Sequence, residues 1–141
     1  MTDCAIDLRL ANEALYRRML DAQNAGDHAT WLACFTDDVV FEAPYYESAG
    51  PIAVGLTALS AVFERLNQIF ASLDYQILRI IPASDPNLVI AEVAGDNLVK
   101  ATGSRYRNRY LFLVTCRSGR ISSIFEYSDP TCYSRAVASD S

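Results

Sequence analysis

The 141-residue chain carries 12 basic and 17 acidic side chains, a formal charge of −5, one histidine and four cysteines. At 51% hydrophobic and 21% charged it is globular rather than disordered. The acidic balance speaks against a general binder of nucleic acid or anionic membrane. His28 alone cannot build a polyhistidine metal site, and a histidine-driven triad would have to use that one residue.

Cys4, Cys34, Cys116 and Cys132 lie far apart with no C-x-x-C spacing, which reads as free thiols in a reducing compartment. The first residues, MTDCAIDLRL, hold acids where a signal peptide needs a positive charge and then an apolar run. No apolar stretch approaches the roughly 20 residues that span a bilayer. The expectation is a soluble, cytoplasmic, single domain over 1–141, with an ordered core at about 8–130 and tails at both ends.

In residues 7–24, Leu8, Ala11, Leu15, Met19 and Ala22 recur at helical spacing. Gly26 is placed to end that helix in a left-handed turn, and Asp27 to cap a short second one with Trp31, Leu32 and Phe35 as its buried stripe. Val39, Val40 and Phe41 open a strand that stops at Pro44, and a loop follows at 45–55. Thr57 is placed to cap a third helix buried through Leu59, Val62, Phe63, Leu66 and Phe70. The period then drops to two over 73–82, 88–95, 99–116 and 120–127, with turn signals at Asp85-Pro86-Asn87 and Ser118-Gly119. Helices first and strands later predict an α+β fold, its helices packed on one face of a curved antiparallel sheet.

Within Ser104–Tyr110, alternation puts Arg105, Arg107 and Arg109 on one face and Tyr106, Asn108 and Tyr110 on the other. Three arginines belong on the outer side, paired with acids such as Glu92 or lining a dimer contact. Tyr106, Asn108, Tyr110, Phe112 and Val114 then face inward. A three-residue loop, Arg117-Ser118-Gly119, would set Glu126 opposite Tyr110 and diagonal to Asn108, inward with Ile124 and Ser128. A two-residue turn would reverse the parity and send Glu126 outside. An inward carboxylate among tyrosine, asparagine and apolar side chains acquires a raised pKa and suits general acid/base work.

The run NAGDHATWLACFTDDVVFEAP (24–44) and the ending GRISSIFEYSD (119–129) resemble the nuclear-transport-factor-2-like superfamily, over about residues 11–130. Asp85-Pro86-Asn87, Tyr106-x-Asn108-x-Tyr110 and Glu126 are similar in order and spacing to SnoaL-like and phenazine-biosynthesis A/B proteins. The resemblance implies a cone-shaped fold of three helices and a bent sheet around one apolar pocket, with Glu126 as catalytic acid/base. It implies a pocket wall of Tyr16 and Met19 on the first helix, Trp31 on the second, and Phe63 and Leu66 on the third. Phe41, Ala43, Val93, Tyr106, Phe112, Ile124 and Ser128 would come from strands, and Tyr45 and Tyr46 from the rim loop.

The departures are specific. Ala43 stands where ketosteroid isomerase has its base, and Met19 where it has its oxyanion tyrosine. The Arg-x-Asp and Tyr-x-Asn of epoxide hydrolases fall on Val93 and Gly95 and on Phe41 and Ala43. The phenazine type's pocket histidine falls near Val62. The fold carries over; the particular reaction does not.

These residues together predict an acid/base enzyme without metal or organic cofactor, acting on a small hydrophobic cyclic metabolite of secondary metabolism or catabolism. Glu126 would move the proton, and Asn108 and Tyr110 would orient the substrate or stabilise developing charge. Isomerisation, cyclisation and dehydration share that chemistry. The expected partners are the small ligand and a second copy of the chain, with no nucleic acid or membrane. The other readings are a noncatalytic binding domain, a dimerisation domain with a vestigial pocket, and an epoxide-hydrolase-type enzyme with a degenerate site.

Overall fold

Apolar spacing of three and four residues winds the first part of the chain into α1 (Asp3–Ala25), which buries Leu15, Tyr16, Met19, Leu20 and Ala22. The computed structural model describes residues 3–138. Gly26, at φ 67°, turns the chain out of α1. The Asp27 carboxylate then accepts the Thr30 N–H at 3.2 Å and starts α2 (His28–Ala33).

Phe35, expected on the second helix, instead opens β1 (Phe35–Glu42). A short β2 (Ala53–Val54) pairs with it, and α3 (Leu56–Ile69) follows. Thr57 does not cap α3: the N-cap is Gly55 at φ 87°, and no side chain caps the helix. Phe70, expected on α3, starts β3 (Phe70–Ser72), and β4 (Tyr75–Pro82) is separate from it. The expected 73–82 strand begins two residues later, and in the break before it the buried Asn97 side chain accepts the Asp74 N–H. β5 (Leu88–Val99) runs unbroken through Gly95, where the expected strand ended, and the turn to β6 (Arg105–Arg117) comes after Val99. β7 (Arg120–Ser128) closes the sheet. Helix extends past the expected core at both ends, since α1 begins at Asp3 and α4 spans Pro130–Val137. No helix among the described residues is long and apolar enough to cross a membrane.

The sheet order is β2-β1-β7-β6-β5-β3, with β4 also on β5. The pairing is antiparallel except that β1 and β7 run parallel, a departure from the all-antiparallel expectation. The strongly curled sheet forms a half-barrel that α1, α2 and α3 cover. Its core gathers Tyr16, Phe35, Val39, Leu59, Val93, Val114 and Ile121, each at most 1% exposed. Large apolar side chains buried to this extent stabilise a fold by roughly 1.5–3 kcal/mol each.

The decisive register lies in the last hairpin. Its loop is two residues, Ser118 (φ 53°) and Gly119 (φ 79°), both left-handed, with Arg117 opposite Arg120. The three-residue loop was incorrect, and a two-residue turn alone would have put Glu126 outside. A bulge rescues the parity. Cys116 pairs with Ile121 but Thr115 with Ser123, so Ser122 is an extra residue and every later pair moves by one. Phe112 therefore faces Glu126, and Tyr110 faces Ser128.

On the outer side the arginine row pairs with acids, Arg105 and Arg107 with Asp96, and Arg109 and Arg79 with Glu92. The four cysteines are free thiols.

Candidate active site

Between α3, the inner sheet face and α4 lies a cavity of about 580 Å³. β1 contributes Phe41, the following loop Ala43, Tyr46, Glu47 and Ile52, and α3 Val62, Arg65, Leu66 and Ile69. Phe70, Tyr75, Tyr106, Tyr110 and Glu126 come from strands, and Tyr133 from α4. Most of this wall is apolar, so polar function concentrates on Glu126, on tyrosine hydroxyls, and on Arg65 and Glu47 near the exposed end.

Glu126 keeps some accessible surface because the cavity is open, yet protein atoms crowd its carboxylate. Desolvation pushes its pKa up to about 7, partly opposed by the Ser128 hydroxyl, which donates to Oε2 at 3.3 Å. Among the described residues no cation pairs with it. The buried Tyr16, Tyr75 and Tyr110 hydroxyls all feel its charge. Burial raises the pKa of all three, Tyr75 to about 12, so near neutral pH they remain protonated hydrogen-bond donors. The Tyr16 hydroxyl is buried without a hydrogen-bond partner.

Secondary structure fixes these groups. Asn24, at the end of α1, makes paired hydrogen bonds to the Tyr75 backbone at 2.8 and 2.9 Å, and Asn97 donates to the Tyr75 hydroxyl at 3.1 Å. Gly95 leaves room for two rings: a Cβ there would sit 3.0 Å from Tyr110 Cε2 and 3.2 Å from Tyr75 Cε1.

Of the expected site, the cavity wall includes Glu126, Tyr110, Tyr106, Phe41, Ala43, Tyr46 and Leu66. Asn108 is not on it. Its amide donates to the Tyr106 hydroxyl at 2.9 Å and to the Asp129 carbonyl at 2.8 Å, so it acts from behind Tyr106. Tyr16, Met19, Trp31, Phe63, Val93, Phe112 and Ile124 are core residues packed behind the wall, and Ser128 is buried beside Glu126. Tyr45 is 63% exposed and packs against Tyr127, because the tight turn at 43–47 sends adjacent tyrosines opposite ways.

His28 lies apart, bonded to Ser60 and stacked on Phe63. Asp38 pairs with Arg117. Among the described residues no three His, Cys, Asp or Glu side chains converge as metal ligands.

Wall residues missed in the sequence were readable in part. Arg65 and Ile69 continue the spacing of Val62 and Leu66. Tyr133 is foreshadowed by Asp129-Pro130, a capping residue followed by proline at the first helical position. Glu47 and Ile52, in an irregular loop, carried no such signal.

The SnoaL-like domain family matches residues 16–124. The chain belongs to that family. This SnoaL-like domain is 29% identical over 108 residues to the uncharacterized protein YesE of Bacillus subtilis (strain 168), across 74% of this chain and 71% of that one. A Bacillus subtilis crystal structure named "putative isomerase" superposes with TM-score 0.80 at 26% identity, covering 89% of this chain and 91% of the other. A phenazine biosynthesis-related protein from Pseudomonas aeruginosa shares the fold, with TM-score 0.76 and 19% identity over 96% of this chain and 90% of its own.

Proposed function

We propose that this SnoaL-like domain is an acid/base enzyme of isomerase, cyclase or dehydratase type, acting on a small hydrophobic cyclic metabolite. The observation that carries this reading is Glu126, a carboxylate without a cationic partner among the described residues, tuned by burial to about 7 and set in an apolar cavity. The ionised form takes a proton from carbon next to a carbonyl, and the protonated form returns it elsewhere on the ligand. Tyr110, with Tyr75 and Tyr16 close by, donates to the oxygen on which charge develops. Asn108 contributes by fixing Tyr106. The name given to the Bacillus subtilis isomerase structure supports this class, and the cavity volume suits a small ring system.

Cyclohexanone in D2O tests the reading. The wild type should exchange the ketone's α-protons with a rate that rises with pH, passes a midpoint near 7 and then levels off. Glu126→Gln should lower that rate about 100-fold or more. Ketone binding without exchange, together with an ordinary carboxylate titration for Glu126, would instead establish a noncatalytic binding domain.

A further inference from the structure

Asn108, Tyr106, Tyr46 and Ser128 form a connected polar row that ends on Glu126. Its spacings are 2.9 Å from Asn108 Nδ2 to Tyr106 Oη, 3.2 Å to Tyr46 Oη, 3.4 Å to Ser128 Oγ and 3.3 Å to Glu126 Oε2. Chemistry gives the row a direction. Asn108 Oδ1 accepts the Arg109 N–H and its Nδ2 donates to the Asp129 carbonyl, so the amide cannot be flipped, and Tyr106 must receive a hydrogen bond from it. At the other end an ionised carboxylate only accepts. Ser128 has one proton and two acceptors within reach: it donates to Tyr46 Oη when Glu126 is protonated and turns to Glu126 Oε2 when the carboxylate is ionised. Of the three hydroxyls in the row Tyr46 is the most exposed, at 37% against 4% for Tyr106 and 9% for Ser128.

We propose that this row is a proton relay, in which Ser128 and Tyr46 are positioning residues that set the proton affinity of Glu126 and pass its proton to solvent at the cavity mouth. The inference rests on the reading of Glu126 as the group that moves a proton. When protonated Glu126 discharges, its O–H bond breaks as a new one forms on Ser128 Oγ. The proton already on Ser128 passes to Tyr46, and the proton of Tyr46 passes to a solvent water. Each hydroxyl gains one proton and loses one, so only Glu126 and the water change charge. Tyr46 is both on the cavity wall and exposed, so the row leads from Glu126 to the outer edge of the cavity. The titratable groups facing Glu126 are the Tyr16, Tyr75 and Tyr110 hydroxyls, and all three stay protonated over the range in which it titrates.

The test follows the ¹³C carboxyl signal of Glu126 through a pH titration, a readout independent of turnover. Ser128→Ala removes the donor and should raise the midpoint by about half a pH unit or more. Tyr46→Phe should shift it by a smaller amount, because Tyr46 acts on Glu126 only through the Ser128 hydroxyl. The double variant should match Ser128→Ala alone, and Ser128→Thr should restore the wild-type midpoint. With cyclohexanone present at the midpoint pH, the wild-type signal should be a sharp average of the two protonation states, broadened in both Ser128→Ala and Tyr46→Phe. A Tyr46→Phe midpoint equal to wild type, midpoint shifts that add, or unchanged line widths would each overturn the relay. A wild-type midpoint near 4.5 would remove the acid/base reading, while the comparison among variants would still decide whether the row is coupled.

Discussion

Holding Glu126 as an anion costs this fold free energy, because burial moves its pKa from 4.5 to about 7. Below the unfolded-state value the carboxyl is protonated in both states and the cost is absent. Between the two values the unfolded chain releases the proton first, so stability falls as pH rises. Above the folded value the loss is complete, at most about 3 kcal/mol and less where the open cavity lets water screen the charge. Glu126→Gln keeps the shape and removes the charge. It should therefore melt above the wild type at pH 8, by several degrees in a thermal scan, with the difference shrinking toward zero near pH 4.5. The same substitution should lower α-proton exchange, so stability and activity move in opposite directions at this residue. An equal melting temperature at both pH values would mean that the carboxylate is well solvated.

Gly95 shows how an element can serve the site without touching it. β5 passes through this position as regular strand, and the absent side chain makes room for the Tyr75 and Tyr110 rings, 5.6 Å apart in an edge-to-face pair. Gly95→Ala should force those rings aside and destabilise the protein by about 1–3 kcal/mol, read as a lower urea midpoint. It should also slow α-proton exchange by displacing the Tyr110 hydroxyl. The sequence suggests that the strand ends at Gly95, because nothing local announces which rings will converge there from two neighbouring strands. The last hairpin offers a similar lesson. Ser118-Gly119 marks the turn, but register depends on the bulge at Ser122, whose trace in the sequence is that Ile121 and Ile124, both buried, are three residues apart rather than two or four. The expected inward placement of Glu126 was thus reached through a loop one residue too long, an error that the bulge offsets. The stripe of α1 was legible at Leu15, Met19 and Ala22 and that of α3 at Leu59 and Phe63, where one face meets the core, but Leu8 and Ala11 are exposed. The wall of the cavity was less so, since residues such as Trp31 and Phe63 obey the same apolar spacing whether they face a ligand or one another.

At the scale of the whole molecule, α4 converts an open half-barrel into a cavity. It contributes only Ala136 to the main core, but Tyr133 lines the cavity and meets Tyr46 and Tyr106 edge-on, with ring centroids 6.0 and 5.6 Å apart. Contacts with two members of the polar row give the helix a part in both ligand enclosure and the orientation of Tyr46. Truncation after Asp129 leaves the sheet pairings and the α1–α3 core in place, so far-ultraviolet circular dichroism should retain the remaining helices and a cooperative unfolding transition. The exposed Tyr106 and Phe70 rings should lower solubility or bind an apolar dye. Cyclohexanone affinity and α-proton exchange should both fall, and exchange should fall further because water reaches Glu126 freely and Tyr46 loses its aromatic neighbour. Tyr133→Ala in the full chain separates the two contributions: it removes the ring but keeps the helix, and should reproduce most of the loss in exchange with little loss of stability. If truncation abolishes folding while Tyr133→Ala leaves both affinity and exchange unchanged, α4 is a structural clasp and the cavity is closed by other means.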